Sequence, residues 1–399
     1  MSDPKTATST DAVHAGDTRT KAFDAVTQPI VQSATYTFAD TDEIVTFMEG
    51  THGRPDREEY GRYGNPTTRA VELRVAAIEG ADDALLFSSG MAAVTTTLLG
   101  LVHGGQHVVL FADCYRRTRQ LITQTLAGLG IEHTLLGAGN LDALPGAIRR
   151  ETRVVFAEAP TNPHLRCIDL ARLASICKEH RHVRTVVDAT FATPINMRPL
   201  ERGIDLVLHS ATKYLGGHND VLGGVVSGSV GLISLVRDLR SIAGTVCDPH
   251  AAFLIGRGIK TLGLRIERQN ITALAVARHL QHHSAVERVY YPGLLSHPDH
   301  AVAASQMRGF GGVVSFVVRG GLAGACRAID RMKMARIGPS FGGVESLVEP
   351  PAIMSYFELS PEGRAGIGIE EGLVRLSVGV EDSADIIADV DRALMTSME

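Results

Sequence analysis

Between residues 83 and 228 the chain carries seven short apolar runs, "DALLFSS", "HVVLFAD", "IEHTLL", "TRVVFAEAP", "RTVVDAT", "DLVLHSAT" and "GGVVSG". Most intervals between them have helical period, as in "MAAVTTTLLGLV", "RRTRQLITQTLAGLG" and "LARLASICKEH". A strand that is apolar along its whole length must be covered on both faces, and alternation with helices supplies that cover through parallel crossovers. The pattern therefore predicts an α/β fold with a mostly parallel central sheet. Residues 1–62 are more polar and mixed, with a β-like "VQSATYTF". Beyond about residue 250 the order changes to a long helical stretch over 251–283, then "ERVYYPG", "GGVVSFVV", a helix near 323–333, "GLVRLSVGV" and a terminal helix. That order is α+β, so three segments are expected, 1–62, 63–255 and a smaller C-terminal one at 256–399.

Several function classes fall away. A net charge of −5 without a long basic run argues against nucleic acid as a partner. The five cysteines, 114, 167, 177, 247 and 326, are odd in number, scattered and without a CxxC pair, which suits a reducing cytoplasm and neither a disulfide framework nor structural zinc. No apolar run has the length of a membrane span, and the N-terminus has no apolar signal core. The histidine-rich "HLQHHSAVERVYYPGLLSHPDH" has no metal-ligand spacing, so no metal is expected. "GFGGVVSF" precedes a strand instead of joining a strand to a helix, so it fails as a dinucleotide motif.

In parallel α/β sheets ligands bind beyond the carboxyl ends of the strands. There the chain places Ser89, Gly90 and Met91 at a helix start, Tyr115 followed by arginines, Glu158 and Asn162, Asp188 and Thr190, and Ser210, Thr212 and Lys213. Only six of the 39 basic residues are lysines, at 5, 21, 178, 213, 260 and 333, so a lysine at a strand end asks for a reason. Taken singly, Lys213 reads as a solvated helix start and Asp188 as a helix cap. Together, a helix N-terminus for a phosphate, a carboxylate for a ring nitrogen and an amine for an aldehyde meet the needs of pyridoxal 5'-phosphate. Arg375 lies in an apolar alternating strand, where an unpaired arginine is costly, which favours a functional role.

"YGRYGNPT", "SSGMAA", "DCYRRTR", "EAPTNP", "VVDATFATP", "HSATKYLGGHND", "SFGGVESL", "PAIMSY" and "LVRLSVGVED" together resemble the transsulfuration, or Cys/Met-metabolism, family of fold-type I pyridoxal-phosphate enzymes, from about residue 12 to 396. "EYGRYGNPTT", "DCYRRTR", "PSFGGVES" and "PPAIMSY" are most similar to its plant-type cystathionine γ-synthases. The resemblance implies an aspartate aminotransferase-like fold with Lys213 as Schiff-base lysine and proton carrier. It makes Tyr115 the second catalytic residue, stacked on the cofactor ring, and Asp188 the partner of the ring nitrogen, with Thr190 beside it. Gly90, Met91, Ser210 and Thr212 would hold the phosphate. Tyr60 and Arg62, in an arm formed by residues 1–62, would join them from a neighbouring subunit, implying a homodimer at least and commonly a homotetramer. Arg375 would grip the α-carboxylate of a small amino-acid substrate, assisted by Asn162 and Ser340.

The implied reaction is replacement of the Cγ substituent of an O-activated homoserine by cysteine, with a γ-lyase acting on cystathionine, canavanine or methionine as the alternative. Arg117 stands where methionine γ-lyases carry cysteine and could receive a phosphate leaving group. Glu349 stands where γ-lyases have glutamate and plant synthases tend to have aspartate, which favours a cationic distal group. The chain has no tryptophan, which argues against a cystathionine β-lyase.

Overall fold

The computed structural model describes residues 9–51, 53 and 57–395. The outer ends of the expected arm and of the C-terminal segment, 1–8 and 396–399, lie outside the described residues. Seven strands form the larger sheet: β1 Asp83–Phe87, β2 His107–Phe111, β3 Glu132–Leu136, β4 Thr152–Glu158, β5 Arg184–Asp188, β6 Leu206–His209 and β7 Gly224–Gly228. Their order is β1-β7-β6-β5-β4-β2-β3. Only β7 runs against the rest, being antiparallel to both β1 and β6. All seven coincide with the apolar runs of the sequence.

Burial explains why those runs are apolar throughout. Val109, Phe111, Val155, Ala157, Val187 and Val207 pack into one core with Leu170, Leu173 and Cys177 of the Leu170–Lys178 helix. The alternate residues, Val108, Leu110, Val154, Phe156, Val186 and Leu206, face a second core with Val94 and Leu98 of the Gly90–Leu101 helix and Val236 of the Val230–Ala243 helix. Each such valine, leucine or phenylalanine contributes roughly 1.5–3 kcal/mol by leaving water. The edge strand β3 departs from the pattern, with Glu132 exposed, whereas β1 at the other edge is buried along its length.

A second sheet of five strands follows: β8 Val286–Tyr290, β9 Val313–Val318, β10 Arg336–Ile337, β11 Leu347–Glu349 and β12 Leu373–Ser377, in the order β10-β11-β12-β9-β8. Three helices connect the sheets, Val230–Ala243, Pro249–Ile259 and Leu262–Gln281. Residue 255 thus lies inside a helix, and Ile255 shares a core with Val314 and Phe316 of β9. The helical stretch expected at 251–283 is two helices. Among the described residues the β-like 31–38 stretch makes only an isolated bridge, Thr35 to Tyr60, with no strand beside it. The helix after Tyr115 runs from Arg116 to Gln120 and continues as a π-helix, Leu121–Leu126.

The Pro66–Glu79 helix starts where the sequence chemistry dictates: Asn65 accepts from the Thr67 and Thr68 N–H groups, Pro66 occupies the first turn, and Gly80 ends it at φ 71°. Its Glu72, 2% exposed, accepts from Arg240 Nη1 at 2.7 Å and from Leu86 N at 3.0 Å, tying this helix to β1 and to the Val230–Ala243 helix. Burial pushes its pKa up, but Arg240 and Arg237 outweigh that and hold it below the ordinary carboxylate value. Glu72→Ala leaves Arg240 buried without its counterion and is expected to cost about 3–5 kcal/mol, read as a lower Tm at pH 7. Because the folded-state pKa is depressed, the wild type's advantage is present above the unfolded value of 4.5 and is lost as pH falls through the folded one. An unchanged Tm at pH 7 would refute this role.

Candidate active site

At the carboxyl ends of the parallel strands a cavity of about 520 Å³ opens towards the second sheet. Its lining brings together Gly90 and Met91 after β1, Tyr115 after β2, Asn162 after β4, Asp188 and Thr190 at β5, and Ser210, Thr212 and Lys213 after β6. The second sheet contributes Ser340, Glu349 and Arg375. Three expected residues are not part of that lining. Tyr60 is exposed beside Tyr63, Arg62 donates to the Ser241 carbonyl, and Arg117 is turned away to Gln120 Oε1 at 2.7 Å. Arg116 lines the cavity in its place and pairs with the exposed Glu358.

The helix that begins at Gly90 is capped by Ser89, whose hydroxyl accepts from Ala92 N at 3.0 Å. The first N–H groups of this helix, on Gly90 and Met91, have no intrahelical acceptor. A Cβ on Gly90 would sit 2.9 Å from the Ser210 side chain, so only glycine allows the two loops to meet. Asp188 accepts at Oδ1 from Thr190 N at 3.0 Å and from Thr190 Oγ1 at 2.5 Å, and that hydroxyl in turn accepts from Ser210 N at 2.8 Å. Burial raises the Asp188 pKa, with Thr190 and then His209 pulling it back. Among the described residues Asp188 makes no ion pair.

Lys213 Nζ donates to Ser340 Oγ at 2.6 Å and lies 5.1 Å from the centre of the Phe341 ring. Burial, then the nearby Arg375 charge, lowers its pKa to about 8, against Glu349. Ser340 holds φ 102°, a strained conformation for a residue with a side chain. Arg375 donates to Asn162 Oδ1 at 2.9 Å and to the Ser340 carbonyl at 3.0 Å, and lies 3.1 Å from Glu349 Oε1, its register partner on β11. Its Nε is buried without a hydrogen-bond partner among the described residues.

Sequence reasoning gave Glu158 a place at a strand end but no role, and did not single out Phe341 or Tyr356, which also line the cavity. Phe341 sits inside the quoted "SFGG" run, but nothing in composition or period marks it.

These residues fit pyridoxal 5'-phosphate on structural grounds. A buried carboxylate without a cation suits a ring N–H, a depressed lysine suits an aldehyde, and a glycine-opened helix start beside two hydroxyls suits a phosphate. Fold and site define a fold-type I pyridoxal-phosphate enzyme. The chain matches the model for Cys/Met metabolism PLP-dependent enzymes over residues 9–395 and belongs to that family. It is 48% identical over 386 residues to a chloroplastic cystathionine γ-synthase 1 of Nicotiana tabacum, covering 96% of this chain and 71% of that one. A cystathionine β-lyase of Lactococcus lactis is 40% identical over 98% of this chain and 99% of its own. The crystal structure of metB from Corynebacterium glutamicum superposes with a TM-score of 0.90 at 36% identity, covering 97% of each chain.

Proposed function

We propose that this enzyme replaces the Cγ substituent of an O-activated homoserine by the thiol of cysteine, a cystathionine γ-synthase reaction. The observation that carries the reading is the 48% identity to a cystathionine γ-synthase along 96% of the chain. The geometry supports it: an amine of lowered pKa, a buried carboxylate and a buried arginine share one cavity. Gly90, Met91, Ser210 and Thr212 hold the cofactor phosphate, Asp188 with Thr190 its ring nitrogen, Tyr115 its ring face and Lys213 its aldehyde. Bound there, the cofactor supplies an electron-withdrawing ring that stabilises negative charge next to the substrate's amino group.

The chain's own residues do the rest. Arg375 binds the substrate α-carboxylate, using the Nε that is otherwise unpartnered, while Asn162 and the Ser340 carbonyl fix the guanidinium plane. Lys213 Nζ would remove the proton at Cα and pass protons between Cα and Cβ until the Cγ substituent leaves, after which the cysteine sulfur, losing its own proton, adds at Cγ. Ser340 Oγ orients that amine. Arg116, which lines the cavity where Arg117 does not, receives an anionic leaving group. Tyr60 and Arg62 serve the cavity of a second copy. Their place outside their own cavity supports this, as do the strongly exposed Phe23 and Val26 in the same arm. The assembly is then a homodimer or a pair of homodimers. The five free cysteines support a reducing cytoplasm; among the described residues no helix is long and apolar enough to cross a membrane.

A γ-lyase is the second reading, and buried Glu349 in the cavity wall is what favours it. Against it, Arg375 already lies 3.1 Å from that carboxylate, leaving little charge to select a cationic distal group. The test offers the loaded enzyme O-phospho-, O-succinyl- and O-acetylhomoserine with and without cysteine, and separately cystathionine, methionine and canavanine. Cystathionine formed fastest from an activated homoserine is expected. Rapid cleavage of an unactivated substrate without added thiol would overturn the synthase reading in favour of the lyase.

A further inference from the structure

Glu158, the last residue of β4, is 5% exposed, lines the cavity and makes no ion pair among the described residues. Burial first, and then the Asp188 carboxylate across the strand register, push its pKa well up. An uncompensated acid is an expensive choice at such a place. Its hydrogen bonds show what it does there: Oε2 accepts from Tyr115 N at 2.7 Å and Oε1 from Asn162 N at 3.1 Å. Two N–H donors converge from two loops. A carboxylate offers both an acceptor, whereas glutamine offers one acceptor and sets an NH₂ against the second donor.

We infer that Glu158 is a positioning residue that locks the loop carrying the ring-stacking Tyr115 to the loop carrying Asn162, and through Asn162 to Arg375. Cofactor ring and substrate carboxylate are thereby held in one register by a single side chain. Asp113, Cys114, Arg119 and Tyr356 are the other titratable groups around it. The inference rests on the roles proposed above for Tyr115 and Asn162. It is independent of which Cγ reaction the enzyme performs.

The experiment uses the full-length protein and its Glu158→Gln variant. Apoenzyme titrated with pyridoxal 5'-phosphate is expected to show a Kd raised roughly tenfold, with a weakened visible circular-dichroism band of the bound cofactor. KM for the amino-acid substrate is expected to rise by a similar factor. Glu158→Gln and Asn162→Ala should be non-additive in KM, since one acts through the other. A lower Tm with unchanged cofactor Kd and dichroism, or full additivity with Asn162→Ala, would reduce Glu158 to a structural acceptor and overturn the inference. If Glu158→Gln does not fold, Glu158→Asp keeps the carboxyl group but is one methylene too short to span both N–H groups, and the same measurements apply. Cofactor Kd and dichroism need no turnover, so a wild type that makes another product leaves the test intact.

Discussion

Lys213→Ala is expected to lower kcat by about 10⁴-fold, because the variant has no group to replace the lost amine. Among the described residues no second lysine and no histidine lines the cavity, and the carboxylates Asp188 and Glu349 are engaged elsewhere, with Thr190 and with Arg375. The same amine predicts a pH dependence of cofactor uptake. Burial and the Arg375 charge lower its pKa to about 8, and only the neutral amine attacks an aldehyde. Reconstitution of wild-type apoenzyme should therefore quicken roughly tenfold per pH unit below that value and level off above it. Full activity in Lys213→Ala sinks the mechanism; a flat pH profile removes the depressed lysine from it.

Arg375→Ala is expected to raise KM for the amino acid by on the order of 100-fold, with a smaller change in kcat, since a charge-assisted pair to the carboxylate is lost. It should also destabilise the protein. Glu349, 2% exposed, has its pKa pushed up by burial and held back by Arg375 and then Lys213. Without the guanidinium that carboxylate is buried with its nearest counterion gone, a loss of about 3–5 kcal/mol. Adding Glu349→Gln to Arg375→Ala should recover part of the Tm but none of the KM. Arg375→Lys should not restore binding, because one ammonium cannot reach Asn162, the Ser340 carbonyl and a substrate together. Substrate kinetics and thermal melts on the three variants check both effects; an unchanged KM in Arg375→Ala would remove the carboxylate grip.

The larger sheet was legible because each strand is buried on both faces and so is written as an unbroken apolar run. Lys213, Asp188 and Arg375 were legible because scarcity, strand-end position or an apolar setting made each one costly to explain otherwise. Where energetics depend on burial, the sequence is silent. Nothing in "ELRVA" distinguishes Glu72, buried under Arg240, from a solvated helix glutamate. The two-residue β10 and three-residue β11 are too short to show a period, although β11 ends in Glu349. Adjacent arginines at 116 and 117 look equivalent until helix geometry sends one into the cavity and the other along the surface. The 31–38 stretch has strand composition without a strand beside it, and pairing is a property of the neighbour as much as of the segment.

The order of the larger sheet sets a schedule for synthesis. β1 pairs in the sheet only with β7, and Gly224 leaves the ribosome roughly 140 residues after Phe87. At about 5–20 residues per second that is a wait of roughly 7–28 seconds, during which "DALLF" has neither its sheet partner nor its full cover. The nascent chain therefore carries an open, largely apolar β-segment through roughly a third of its elongation. Expression yield of this protein should respond more to chaperone supply and translation speed than to cofactor supply, since the cofactor's cavity does not exist until the last strand of the second sheet is in place.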